Sequence, residues 1–176
     1  ESLREFAILG KPQKMLEPFK LAAKTRGISR MEVEFKAGDK YYAYGVAYGK
    51  QHITEEWLYQ IGSRDGKPIF ERTVTEKEDS IHLSPALVKL GTKEYEFISF
   101  LAKGTPKDKT FLHEYAERNG KGIDAIQNVY DWFAHMQIIF PNSRNRDIAV
   151  RVLTNKEFKD ATKALLHMFG TGVADL

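Results

Sequence analysis

Apolar and polar residues alternate strictly through "SRMEVEFKAG" (29–38). Met31, Val33 and Phe35 fall on one side, and Arg30, Glu32, Glu34 and Lys36 on the other. A period of two is the signature of a half-buried strand. Gly38-Asp39 supplies a turn suited to positive φ, and the chain resumes as "YYAYGVAY", with Tyr42, Tyr44, Val46 and Tyr48 on one face. The other face of that run carries Tyr41, Ala43, Gly45 and Ala47. A second turn at Gly49-Lys50 leads into "QHITEEWLYQI", which sets Ile53, Trp57, Tyr59 and Ile61 on one side, interrupted by Glu55. Thr54, Glu56, Leu58 and Gln60 take the other side. After the turn cluster "GSRDGKP" come two more extended pieces, "IFERTVTE" and "DSIHLS". Residues 29–83 are thus predicted to form an antiparallel meander of four to five strands.

Beyond Pro85 the period lengthens to that of a helix. "EYEFISFLAK" groups Tyr95, Ile98, Leu101 and Ala102, and "KTFLHEYAERNG" reads as a short helix ending at Asn119-Gly120. "GIDAIQNVYDWFAHMQIIF" predicts the longest helix, stopped by Pro141. It carries one stripe of Ile123, Ile126, Tyr130, Phe133 and Gln137, and a neighbouring one of Val129, Trp132, Met136 and Ile139. Two adjacent apolar stripes predict a helix sandwiched between layers. "NKEFKDATKALLHMFG" predicts an amphipathic helix with Phe158, Ala161, Leu165 and Met168 inward and Lys156, Lys159, Lys163 and His167 outward. At the other end, "LREFAIL" reads as the last turns of a helix closed by Gly10 and Pro12. Strands first and helices afterwards, at 84–170, predict an α+β fold.

The 176 residues suit a single domain, 1–176, or an excised fragment. The chain opens within an element and without Met, and it closes on an apolar residue without a charged tail, which reads as a piece of a longer protein. At 42% apolar and 12% aromatic residues it can build a core, which excludes wholesale disorder. A net charge of +3 permits a nucleic-acid partner without demanding one. The absence of cysteine excludes a disulfide scaffold and thiolate zinc sites, and fits a reducing, cytoplasmic setting. No apolar run approaches the roughly 20 residues that span a bilayer.

Candidate chemistry is sparse. A phosphate-binding loop needs Gly, four residues, then Gly-Lys-Ser/Thr; "GVAYGKQ" is one residue short, ends in Gln51 and lies between strands rather than before a helix. The histidines at 52, 82, 113, 135 and 167 lack metal-ligand spacing, and His135 reads as a core or boundary residue. Glu55 and Glu56 are adjacent on a strand, so they point to opposite faces and cannot share a proton. Asp147, Glu157 and Lys159 match an Asp…Glu-x-Lys metal-nuclease pattern, which calls for carboxylates converging on one Mg²⁺. Glu157 reads more simply as a first-turn helix carboxylate after Asn155. No catalytic, cofactor or metal residue is assigned. "PNSRNRDIAVR" gathers Arg144, Arg146 and Arg151 in a predicted loop, the best exposed contact set for phosphate or a partner's carboxylates. A stand-alone nucleic-acid-binding module using 142–151 is therefore an alternative reading. The aromatic face of Tyr42, Tyr44 and Tyr48 suits base stacking, but it suits core packing better.

The order "EPFKL", "EVEFKAGDKYYAYGVAYGKQHITEEWLYQI" and "PIFER" resembles the ABC/SMC-like, AAA-type ATP-binding proteins of bacterial and archaeal abortive-infection and anti-phage systems. The matching pieces are Pro18-Phe19, Val33 to Phe35, the Tyr-x-Tyr-Gly of Tyr42 to Gly45, the Ile-x-x-Glu-x-Leu-Tyr of Ile53 to Tyr59, and the Phe-x-Arg of Phe70 to Arg72. Val46 departs from the pattern, which often has Phe there. "VYDWFAHMQIIFP" and "FGTGVADL" resemble that family's later helix and the stretch beyond its connecting region. The resemblance implies a segment lying after Walker A and before the signature and Walker B motifs, with no catalytic residues of its own. It also implies ATP and Mg²⁺ in the parent protein. The partners it implies are the rest of that ATPase, a protein or DNA, with dimerisation through the parent.

Overall fold

The computed structural model describes residues 1–13, 27–49, 52–62, 66–75, 79–84, 91–118, 120, 122–138, 146–173 and 175–176. The Pro18-Phe19 segment, Lys50, Arg144 and the Asn142–Asn145 part of the basic stretch lie outside them. The fold is α+β, as the patterning predicts. The described residues divide into two compact units, 1–136 and 137–176.

In the first unit the strands are β1 (Ser29–Ala37), β2 (Lys40–Tyr48), β3 (Ile53–Ile61), β4 (Gly66–Val74) and β5 (Asp79–Leu83). They pair in sequence order, β1-β2-β3-β4-β5, every neighbour antiparallel. Ala37 pairs with Lys40, which makes the first connection a two-residue turn, and Gly38 takes the positive φ (60°) such a turn requires. The Gly49 amide bonds the His52 carbonyl (2.8 Å), and the chain enters β3 at Ile53. Gly49 thus belongs to a strand-to-strand connection.

The helices of this unit are α1 (Ser2–Leu9), α2 (Lys93–Lys103), α3 (Phe111–Glu117) and α4 (Asp124–His135). One face of the sheet is packed beneath them. Tyr42, Tyr44, Val46, Leu58 and Phe70 come from the strands, Phe6 from α1, Phe111 from α3, and Ile126, Val129 and Phe133 from α4; all are buried in one cluster. Each large apolar side chain so buried contributes about 1.5–3 kcal/mol. Aromatic rings set the fit: Phe35 stacks on Trp132 at 4.0 Å, and Phe133 meets Phe35 and Tyr44 edge-on at 5.5 and 5.4 Å.

Four expectations need correction here. The helix predicted to run to Pro141 ends at His135, and Met136 is already extended (φ −65°, ψ 125°). Ile138 follows, whose branched side chain favours extended backbone. Nor is α4 sandwiched: Ala125, Ile126, Val129 and Phe133 are buried, while Gln127, Asn128, Asp131 and Ala134 on the far side are exposed. His135, read as a core or boundary residue, lies exposed in the last turn. Finally, the register shifts between Ala47 and Tyr48, so Ile53 pairs with Tyr48 and joins the core face. The bulge swaps Ile53 to the side that Glu56 and Leu58 occupy, opposite Trp57 and Tyr59.

The second unit holds α5 (Arg146–Thr154) and α6 (Lys156–Met168), packed on each other. Residues 146–151, predicted as loop, are the start of α5. Asn155 caps α6 by accepting the Phe158 amide (2.9 Å), and Glu157 sits in the first turn. Neither helix buries a residue: Leu165 and Met168, predicted to face inward, are 51% and 77% exposed. Periodicity tells which residues share a face. Two helices alone have too little mass to cover that face.

Candidate functional site

The strongest concentration of polar chemistry lies inside the first unit, where the sheet meets α3. On β3, Glu56 follows the bulge and points into the core. Its carboxylate accepts the amides of Phe111 (2.6 Å) and Leu112 (3.0 Å) and the Tyr44 hydroxyl (3.1 Å). Those amides open α3 and have no partner within the helix. Thr110 occupies the N-cap position, yet its hydroxyl goes elsewhere, to the Phe6 carbonyl of α1 (2.6 Å). A carboxylate from a distant strand therefore does the capping, at the positive end of the helix.

Directly opposite Glu56 in the register, on β4, stands Arg72. Its guanidinium forks onto Asp79 of β5, Nε to Oδ1 at 3.0 Å and Nη2 to Oδ2 at 2.7 Å. The remaining N–H groups reach the carbonyls of Lys109 (2.7 Å), Thr105 (3.1 Å) and Pro106 (3.1 Å), and Nη1 lies 3.9 Å from Glu56. Planar, five-donor geometry is what allows one side chain to meet all these acceptors.

Burial raises the Glu56 carboxyl above its ordinary range; Arg72, the two amides and Tyr44 pull it back only in part. Burial, then the neighbouring Glu56 charge, pushes the Tyr44 phenol well above its ordinary value. Next door, Glu114 is desolvated too, but Lys109 (3.0 Å) and Arg118 (3.1 Å) outweigh that and hold its carboxyl below the usual range. Every group in this network already has protein partners. Its chemistry is positional: it fixes α3, the 104–110 segment and the sheet relative to one another.

The other face of the sheet is open and carries a second cluster. Trp57 lies flat against Gly45, where a Cβ would fall inside the indole and 2.8 Å from the Met31 carbonyl. The indole N–H donates to Glu32, and the Arg30 guanidinium covers the ring at 3.8 Å while pairing with Glu55 at 2.7 Å. Tyr59 donates to Glu71, which pushes its phenol up to about 12. Together these side chains border a shallow hollow of about 200 Å³.

Of the residues singled out by sequence, Glu55 and Glu56 do point to opposite faces, the first exposed on Arg30 and the second buried. Arg146 begins α5, and Arg151 lies over the Phe158 ring at 5.2 Å. Five residues apart on a helix, they point about 140° apart. Asp147 and Glu157 each lie in the first turn of a different helix. Among the described residues, no group of three or more His, Asp or Glu side chains could hold a metal ion. Among them too, no helix is long and apolar enough to cross a membrane. Sequence reasoning met Arg72 only as the end of the Phe-x-Arg piece and did not single out Asp79. The available signal was the Phe-x-Arg piece itself. Comparison with family models, curated proteins and solved structures returned no match to this chain.

Proposed function

We propose that this chain is the accessory, β-layer-plus-helical portion of an ABC-type ATPase. In this reading it couples the ATP state of the parent protein to engagement of a partner or nucleic acid, while ATP and Mg²⁺ are bound by the parent outside these residues. One observation carries the reading. The residues that bear the resemblance are those that meet in space: Tyr44 of Tyr-x-Tyr-Gly, Glu56 of Ile-x-x-Glu-x-Leu-Tyr and Arg72 of Phe-x-Arg share one buried network. Gly45 of the first piece seats Trp57 of the second. Loose motifs that converge on one network support a shared fold better than scattered matches would. The helix α1, whose Phe6 and Ala7 are fully buried, packs on α3, α4 and β2.

The test is nucleotide binding. The natural reading frame is expected to contain Gly-x-x-x-x-Gly-Lys-Ser/Thr a few dozen residues before Glu1. A chain extended to include it should bind ATP–Mg²⁺ in calorimetry, whereas 1–176 alone should not. Tight binding by 1–176, or a natural frame lacking that loop, overturns the proposal.

A further inference from the structure

Seven residues, Gly104–Thr110, connect α2 to α3 and bond to residues of α1, α2, β3 and β4. At their start, the Gly104 amide and the Thr105 amide and hydroxyl return to the carbonyls of Phe100, Ala102 and Leu101 and close α2. In the middle, the Lys107 carbonyl accepts the Ile53 amide at the β3 bulge (2.9 Å), and the Lys107 ammonium reaches the Thr75 carbonyl beyond β4 (2.8 Å). Arg72 takes the carbonyls of Thr105, Pro106 and Lys109. At the far end Thr110 is wholly buried. Its amide donates to the Gly10 carbonyl (2.9 Å) and its hydroxyl to the Phe6 carbonyl (2.6 Å). Both acceptors are at the C-terminal end of α1, where helix carbonyls lack internal donors.

The order along the chain matters. Thr110 holds α1; the residue before it, Lys109, satisfies Arg72, and the residue after it, Phe111, satisfies Glu56. A shift of α1 that moves Thr110 therefore pulls on the partners of two buried charges, and a buried charge left without its partner is strongly destabilising. Moving the charged residues, and the strands that bear them, is the cheaper response. On β2, Tyr44 meets Thr110 as well as Glu56; β1, at the edge of the sheet, gives this segment no side-chain hydrogen bond among those described.

We propose that Gly104–Thr110 is a transmission strap, which ties the position of α1 to β3 through Thr110 and Glu56 and to the β4–β5 hairpin through Arg72. The strap rests on hydrogen bonds within this chain and goes beyond the nucleotide reading, whose failure would leave it standing. Thr110 acts as a positioning residue.

Hydrogen exchange resolved to individual segments tests it on the 176-residue chain. Thr110→Val removes the hydroxyl donor at constant shape. It is expected to raise exchange roughly three- to tenfold in α1, at the first amides of α3 and in Ile53–Ile61, Gly66–Val74 and Asp79–Leu83, and to leave β1 unchanged. Thr110→Ser, which keeps the donor, should restore wild-type exchange. A rise confined to α1, or an equal rise in all five strands, overturns the proposal. If T110V does not fold, the wild type decides. In low urea, the amides of α1, the α3 start and β3–β5 should open as one unit, separate from β1. A single opening common to all strands overturns it.

Discussion

Arg72 and Glu56 face each other across the β3–β4 ladder, 3.9 Å apart, and neither side chain has any exposed surface. Their direct attraction is the smaller part of the arrangement. Asp79, three loop carbonyls, two helix amides and a tyrosine complete it, so each charge is taken out of water only because its other partners are in place. Arg72→Met strands Glu56, Asp79 and the loop carbonyls together. It is expected to lower stability by about 3–5 kcal/mol, read from the urea midpoint. Arg72→Lys should recover little of this, since a single ammonium cannot fork onto Asp79 and reach the loop carbonyls as well. Wild-type stability in either variant would show that the network is incidental.

Two carboxyls next to α3 should respond to pH with opposite signs. Glu56 is raised above its ordinary 4.5 by burial, so the folded state holds its proton more tightly than the unfolded chain. That contribution is fully present below about pH 4.5 and is lost as pH rises through the folded value. Glu114 is desolvated but held low by Lys109 and Arg118, so its contribution is present above 4.5 and is lost as pH falls through the folded value. Urea midpoints measured across this range should show a shallower acid limb in Glu114→Gln. In Glu56→Gln the decline above pH 4.5 should vanish, whatever the absolute stability. The same slope in both variants and the wild type would contradict this assignment.

Gly45 exists for Trp57. The indole occupies the space of the missing Cβ, with Arg30 above it and Glu32 at its N–H. Gly45→Ala must therefore lift the ring or shift β2, an overpacking that costs about 1–3 kcal/mol. Tryptophan emission should move to longer wavelength as Trp57 gains solvent, and a Trp132→Phe background isolates the signal. Unchanged emission and stability would mean that the ring has another resting place.

The strands and their order were legible because alternation survives almost unbroken from Arg30 to His82. Turns at Gly38 and Gly49 punctuate it where the ladder needs them. The β3 bulge was not legible, since one extra residue at Thr54 leaves no mark in composition, and missing it inverts the side assigned to Ile53. The network was half legible. Glu56 was noticed as one of a carboxylate pair, but Arg72 entered only as the end of the Phe-x-Arg piece and Asp79 was not singled out, since a charged residue in a strand is seldom buried. What decides their burial is the 104–110 segment folding over them, a contact made across more than thirty residues of sequence. The exposed Leu165 and Met168 teach the converse: a helical stripe predicts a face and says nothing of its cover.

The cap at α6 offers a local check on the second unit. Asn155 accepts the Phe158 amide at 2.9 Å while its backbone carbonyl receives the Lys159 amide, also at 2.9 Å, and Glu157 adds a carboxylate to the same turn. Neither α5 nor α6 has a buried residue, so this end depends on its own hydrogen bonds more than a core helix does. Asn155→Ala is expected to cost about 1 kcal/mol, seen as faster exchange at the amides of residues 158–160 and reduced helical signal. Asn155→Asp, which keeps an acceptor and adds negative charge at the helix start, should match or exceed the wild type. Equal exchange in N155A and wild type would mean that the turn is held by something other than its cap.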